Sequence, residues 1–262
     1  MMQSPLRYTG GKTRAIKVLK NFLPSNTKSI ISPFIGGGSF ELSCAESGIK
    51  IFGYDTFLPL VDFWFYLIHD PKLLADKIQQ YFNIDKAELR TWGKKLWSEQ
   101  DPLMRATMFF ILNRTTYGGT TVNGGLYTDI YQRFTPSIIK RVIESKIKNL
   151  EVGFLDFRQS LLLHDELAYL DPPYVGQDRL YAYSKISNQE FPHKKLSDIL
   201  RKRSNWILSY NDHPLIRELY SEFQILTPSW KYGISNESKY SKEVLIISPE
   251  IESKLPSLLV YK

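Results

Sequence analysis

Four consecutive residues, Asp171-Pro172-Pro173-Tyr174, set a carboxylate, two prolines and an aromatic ring directly after an apolar run. Each proline fixes φ and removes a backbone N–H, so the turn presents carbonyl oxygens with no donor beside them. That is equipment for activating a conjugated amine. An exocyclic amino nitrogen such as adenine's is a poor nucleophile because its lone pair is delocalised into the ring. The Asp171 carboxylate and the Pro172 carbonyl, aimed at its two N–H groups, would draw the nitrogen towards tetrahedral geometry and raise the lone-pair density facing a sulfonium methyl. Tyr174 can stack on a base that has left the duplex, as chemistry on a base requires. Transfer would then be a direct in-line displacement resting on positioning and electrostatics. Taken alone, the tetrapeptide also reads as the ordinary start of a loop.

Two glycine-containing segments lie upstream. Phe34-Ile35-Gly36-Gly37-Gly38-Ser39 occupies a strand-to-helix turn, where glycine lets backbone approach a ligand and a helix N-terminus supplies free N–H groups. Asp55 stands 17 residues after Gly38, close to the spacing at which a carboxylate bonds ribose hydroxyls. A dinucleotide fingerprint would need a third glycine or alanine, and Glu41 stands there instead. The segment therefore favours a different adenosine-containing cofactor over a nicotinamide one, with a plain tight turn as the alternative. Pro5-Leu6-Arg7-Tyr8-Thr9-Gly10-Gly11-Lys12-Thr13 resembles a phosphate-binding loop at first sight, but Leu6 stands where that motif needs glycine. What remains is a glycine turn presenting Lys12 to a carboxylate or phosphate, or else a flexible basic start.

The elements that must position these groups follow an α/β order. Ser29–Phe34 reads as a buried strand, a helix begins near Ser39, and Lys50–Asp55 is a second strand ending on a carboxylate. From Phe57 to about Asn149 the character is helical. Asp70-Pro71, Asp101-Pro102 and Thr135-Pro136 each pair a capping residue with proline at the first helical position. Between the last two, Tyr117 to Thr128 contains Asn123-Gly124 flanked by β-branched and aromatic residues, a hairpin signal. After about Leu150 the alternation resumes, with strands at Leu167–Leu170, Trp206–Tyr210 and Glu243–Ile247.

Composition narrows the classes. The 262 residues, 43% of them hydrophobic and 14% aromatic, can build a full core. No apolar run approaches the roughly 20 residues of a membrane span, and no apolar signal region follows the start, so a cytoplasmic protein of bacterial or viral type is expected. Cys44 is the only cysteine, and His69, His164, His193 and His213 lack ligand spacing, so no metal is expected. A net charge of +7 leans towards a polyanionic partner, although many ordinary soluble proteins are as basic.

The three segments in this order resemble the Dam-type family of DNA adenine methyltransferases (D12 class, alpha group): Tyr8-Thr9-Gly10-Gly11-Lys12, then Phe34-Ile35-Gly36-Gly37-Gly38, then Asp171-Pro172-Pro173-Tyr174. Leu112-Asn113-Arg114, Asp156-Phe157 and Ser209-Tyr210-Asn211-Asp212 are also similar to the family, so the likeness covers nearly the whole chain. It implies a Rossmann-like mixed sheet carrying S-adenosylmethionine across its carboxyl edge, formed by residues 1–56 and 150–262. A mostly helical target-recognition insert would occupy 57–149, with its hairpin near 117–128. Tyr8 and Lys12 would lie near the methionine end, Phe34, Gly36 and Gly38 under it, Asp55 on the ribose, and Asp156 and Phe157 beside the adenine. Gly10, Gly11, Ser39 and Asp171 complete the expected cofactor set. Double-stranded DNA is the expected partner, met by Arg114, Asn123, Arg133, Lys140 and Arg141, with Lys146 and Lys148 also meeting phosphates. Tyr181 or Tyr183 would enclose the flipped base. A monomer is the expected state, and a cognate restriction endonuclease is a candidate functional partner.

One departure concerns specificity. Members that read GATC carry an arginine in the hairpin, the usual bidentate reader of guanine, whereas residues 118–127 here contain neither arginine nor lysine. Either Arg114 substitutes or the recognition sequence differs. Three readings compete with adenine methylation in DNA. Cytosine enzymes of this kind generally show serine at the position of Asp171. Methylation of an RNA base is opposed only by the DNA-type insert. A DNA-binding homologue without catalysis would have no need of Lys12, Asp55 and an intact tetrapeptide.

Overall fold

The computed structural model describes residues 3–8, 10–122, 124–177, 190–228, 231–232, 239–240 and 243–255. Its centre is a seven-stranded sheet in the order β3-β2-β1-β4-β5-β9-β6. The strands are β1 (Ser29–Ser32), β2 (Lys50–Asp55), β3 (Leu150–Phe154), β4 (Leu167–Leu170), β5 (Trp206–Asn211), β6 (Gln224–Leu226) and β9 (Glu243–Ile247). A separate short antiparallel pair joins β7 (Lys231–Tyr232) to β8 (Lys239–Tyr240). β1 to β5 run parallel, whereas β9 lies antiparallel between β5 and β6. The mixed α/β fold expected from the alternation is therefore present, and it is that of a Rossmann-like methyltransferase.

The residue types explain the layers. β4 and β9 are buried along their whole length, and the apolar runs Leu167–Leu170 and Val244–Ile247 suit strands covered on both faces. β3, at the edge, keeps only Leu150 fully buried. Along the sheet, β1 connects towards β2 on one side while its other neighbour, β4, is followed by β5 in the opposite direction. This reversal leaves a crevice beyond the carboxyl ends of β1 and β4, the place where open α/β sheets take their ligands. The glycine loop leaves one end and Asp171 leaves the other.

Between β2 and β3 the chain is helical: α3 (Leu58–His69), α4 (Pro71–Gln79), α5 (Lys86–Lys95), α6 (Pro102–Thr115) and α7 (Pro136–Ile143). Asp70 and Asp101 cap α4 and α6 as their sequence context predicts, accepting from Leu73 N at 2.9 Å and Leu103 N at 3.0 Å. Asp85 does the same for α5, whereas Thr135 makes no side-chain cap and its hydroxyl instead meets Ser137 Oγ at 2.8 Å. α6 is the axis of this segment. Its residues from Ala106 to Asn113 are all buried, and Phe110 stacks on Phe63 of α3 at 5.2 Å. No gap in packing separates these helices from the sheet, since Leu60, Phe63, Trp64, Phe109 and Phe110 share one core with Ile30, Ile51 and Leu150.

The expected hairpin takes a different form. After α6 the chain does fold back, but a single antiparallel bridge, Thr116 to Leu126, replaces paired strands among the described residues. Gly118, Gly119 and Thr121 all have positive φ, which curls residues 117–119 into a 3-10 turn and prevents an extended arm. Asn123 lies outside the described residues. No helix among the described residues is long and apolar enough to cross a membrane.

Candidate active site

The crevice at the switch point holds two adjoining cavities. The outer one is lined by Tyr8, Pro33, Phe34, Gly36, Asp55, Thr56, Phe57, Asp156, Phe157, Asp171, Pro173 and Phe191. The inner one runs along Gly10, Gly11, Lys12, Phe34 to Glu41, Tyr169 and Asp171, and it shares Tyr8, Phe34, Gly36 and Asp171 with the first. The empty space within them, part of it open to solvent, is about 580 and 450 Å³.

The glycines form the wall between them for a steric reason. A Cβ on Gly36 would stand 2.8 Å from the Tyr8 ring, and one on Gly38 would stand 2.6 Å from Trp64. Both residues also adopt positive φ. Trp64 Nε1 donates to Gly36 O at 3.0 Å, so α3 fixes the loop from below. From the end of β2, Asp55 accepts from Gly36 N at 3.2 Å and from Phe57 N at 3.0 Å. Burial raises its carboxyl to about 6, although those backbone donors oppose the shift. Ser39 opens α2 (Ser39–Glu46) and accepts from Thr13 Oγ1 at 3.1 Å. Across the outer cavity, Asp156 caps α8 (Phe157–Leu163) by accepting from Arg158 N at 2.8 Å. Phe157, Phe34 and Phe191 then form an aromatic corner with centroids 5.5–5.6 Å apart.

Asp171 stands at the junction of the cavities, and a buried cation holds it. Lys12 Nζ donates to Asp171 Oδ1 at 2.8 Å, to Tyr174 Oη at 2.7 Å and to Gly10 O at 3.0 Å. It also lies 3.5 Å from Glu243 Oε2, at the start of β9. Tyr174 Oη donates to the same Asp171 oxygen at 3.2 Å. The Tyr174 ring is itself buried, 5.9 Å from Tyr210. It is thus packed inside the protein, not laid open on the crevice as a stacking surface for a base. Pro172 is buried, while Pro173 lines the outer cavity. Beyond the turn, Asn211 accepts from Val175 N and donates to Val175 O, both at 3.2 Å, which locks the exit of the tetrapeptide onto β5.

The chain belongs to the D12 class of N6 adenine-specific DNA methyltransferases. The family's model matches residues 8–234. The chain is also similar to the type II methyltransferase M.CviBI of Paramecium bursaria Chlorella virus NC1A, at 23% identity over 240 residues, or 85% of this chain and 88% of that protein. Membership implies a methyl donor and a DNA substrate.

For a D12-class enzyme, all the residues expected around the cofactor converge on the two cavities: Tyr8, Gly10, Gly11, Lys12, Phe34, Gly36, Gly38, Ser39, Asp55, Asp156, Phe157 and Asp171. Sequence reasoning missed Phe191, Glu41, Glu243 and the locking role of Asn211. A glutamate in a helix's first turn and another opening an apolar strand carry no local signal. Only their placement against Lys12 or the glycine loop marks them.

The residues expected on DNA lie elsewhere. Arg133, Lys140, Arg141, Lys146 and Lys148 are exposed on and around α7. Arg114 is half-buried, donating from Nε to Arg133 O at 3.0 Å and from Nη1 to Pro5 O at 3.3 Å. Burial, with Arg7, Arg141 and Arg133 nearby, lowers its guanidinium to about 10. Two of its nitrogens, Nε and Nη1, are therefore committed to backbone carbonyls. Asn113 ties this region to the site by accepting from Arg7 N at 2.9 Å and donating to Arg7 O at 2.6 Å and Gly119 O at 2.9 Å. Arg7 also donates to the Tyr127 hydroxyl. Asn123, Tyr181 and Tyr183 lie outside the described residues.

Proposed function

We propose that the chain methylates the N6 amino group of adenine in duplex DNA with S-adenosylmethionine as donor, its catalytic groups being Asp171 and the Pro172 carbonyl. The observation that carries the reading is the Asp171 carboxylate, fixed by Lys12 at the junction of a two-chambered cavity. When bound, S-adenosylmethionine supplies a sulfonium methyl. The aromatic corner of Phe34, Phe157 and Phe191 suits a purine ring. Asp55, with lone pairs left after its two backbone donors, suits ribose hydroxyls. The inner cavity suits the amino-acid tail.

The chain's own groups then act by positioning. Lys12 and Tyr174 engage Oδ1 of Asp171, which leaves Oδ2 for one N–H of the target amine. The Pro172 carbonyl, with no N–H on the proline that follows, takes the other. Tyr174 serves by orienting Asp171, and stacking on the flipped base falls to other aromatic residues, among which Tyr181 and Tyr183 are candidates. Asp171 accepts a hydrogen bond from the amine and stabilises the positive charge that develops on nitrogen until the methylated nitrogen gives up one proton to solvent.

In this reading residues 57–149 recognise the target and the remainder transfers the methyl group. Arg133, Lys140 and Arg141, with Lys146 and Lys148, neutralise phosphates. Arg114 braces that cluster through the Arg133 and Pro5 carbonyls, and Asn123 is a candidate for contact with the DNA. The type II designation of the viral relative supports a place beside a cognate restriction endonuclease.

Substituting Lys140 and Arg141 with glutamine tests the division. Duplex affinity should fall, and the slope of log K against log salt should become shallower by about one for each phosphate no longer neutralised. Donor affinity should stay the same. A loss of donor affinity with an unchanged salt slope would overturn the assignment. A wild-type chain that binds duplex DNA but transfers no methyl group would favour the non-catalytic homologue.

A further inference from the structure

Glu41 is a buried carboxylate with no part in the mechanism above. It stands at the third position of the helix-side glycine pattern, where a dinucleotide site would carry a small residue. Its residue is only 4% exposed, and its side chain lines the inner cavity with Lys12, Ser39 and Asp171. Ser32 Oγ donates to its Oε1 at 2.7 Å from the end of β1. The single cation of that cavity is spoken for, because Lys12 binds Asp171, Tyr174 and Gly10 O and lies closest among carboxylates to Asp171. Among the described residues the cavity lining thus carries two carboxylates, Glu41 and Asp171, and one ammonium, which contacts Asp171 directly. A buried carboxylate held by hydrogen bonds alone, with no cation in direct contact, is costly to ionise unless one joins it.

We propose that Glu41 receives the ammonium group of the donor's methionine tail, making it a specificity residue for ligands that carry an amino-acid end. This rests on the S-adenosylmethionine reading of the cavity. The chemistry fits on two counts. The tail's ammonium is a compact cation with three donors, and a carboxylate already held by one hydroxyl is pre-oriented to accept from it. In addition, burial has raised Glu41 to about 7, with Ser32, its own backbone N–H and Lys12 opposing that shift and Asp171 adding to it. The other titratable groups that sense Glu41 are Tyr169 and Cys44. An arriving ammonium favours the ionised form, so near neutral pH binding should drive a proton off.

The test titrates wild type and Glu41→Gln with S-adenosylhomocysteine and with 5′-methylthioadenosine, which keeps the adenosine and thioether but lacks the amino-acid end. Glu41→Gln should weaken S-adenosylhomocysteine roughly ten- to hundredfold and change methylthioadenosine less than twofold. That second affinity also reports whether the variant is folded. In wild type alone, calorimetry near pH 6.5 in buffers of different ionisation heat should show proton release with S-adenosylhomocysteine in excess of any seen with methylthioadenosine. The affinity ratio of the two ligands should rise with pH and level off above about 8. Asp55, raised to about 6, faces the portion common to both ligands and so cancels in the ratio. Equal loss of both ligands in the variant, or no difference in proton release in wild type, would overturn the role of Glu41 alone. If wild type bound neither ligand, the donor reading itself would fall with it.

Discussion

Replacing Asp171 with alanine is expected to abolish methyl transfer while leaving duplex affinity within about twofold of wild type. The substitution removes the only carboxylate that lines both cavities among the described residues. Removing one preorganised electrostatic contact from an active site commonly costs about 10²–10³ in kcat. Here the loss should be greater, because Lys12 and Tyr174 are built around the missing carboxylate. Asp171→Asn separates the contributions. It keeps the shape and one acceptor oxygen but loses the charge that stabilises the developing cation on nitrogen. Its kcat should fall about 10²–10³-fold, with little change in KM for DNA. Single-turnover measurements with saturating donor and duplex are decisive, and a rate within fivefold of wild type for Asp171→Asn would remove the carboxylate from the mechanism.

The second large effect is expected at Lys12. Its ammonium is almost wholly buried, and it bridges Asp171, Glu243, Tyr174 and the Gly10 carbonyl. Lys12→Met leaves the Asp171 carboxylate without the cation that contacts it. Breaking a buried pair in this way typically costs about 3–5 kcal/mol, and the lower part of that range applies because Asp171 opens onto the cavity. For a chain of this size the Tm should drop by roughly 5–15 °C. Transfer should fail as well, since Asp171 and Tyr174 lose their common anchor. The double variant Lys12→Met/Asp171→Asn separates pairing from packing. If the cost comes from the stranded charge, removing that charge restores part of the lost stability, so the two substitutions are non-additive. Strict additivity in thermal unfolding would mean that Lys12 acts through its aliphatic stem.

Much of this site was readable from the chain because its parts obey local rules. A strand that ends on Asp-Pro-Pro, a glycine run before a helix and a carboxylate closing the next strand each leave a contiguous signature, as do the Asp-Pro caps of α4 and α6. The alternation indicates an α/β sheet, whereas the strand order, with β9 inserted antiparallel between β5 and β6, is seen only in the fold. What could not be read is what the fold brings together from afar. Lys12 and Asp171 are 159 positions apart, and Glu243 completes their cluster from a strand near the far end of the chain. Asn113 and Asn211 look like ordinary polar residues until their bonds to Arg7 and Val175 are seen. Among the described residues the expected hairpin is reduced to one antiparallel bridge, for a local reason that its most prominent signal obscured. Asn123-Gly124 suggested paired strands, but Gly118, Gly119 and Thr121 had already turned the chain. Tyr174 shows the limit of reading a residue by type. An aromatic beside a catalytic carboxylate suggests stacking, yet its hydroxyl gives it a structural task that its ring alone would not indicate.

The identity of the methylated atom tests the account most directly. Wild-type protein incubated with methyl-labelled S-adenosylmethionine and mixed-sequence duplex DNA, followed by digestion to nucleosides, should place the label in N6-methyldeoxyadenosine. The Asp171→Ala variant should leave the DNA unlabelled. Label in a methylated cytosine, or transfer to RNA in preference to duplex DNA, would contradict it.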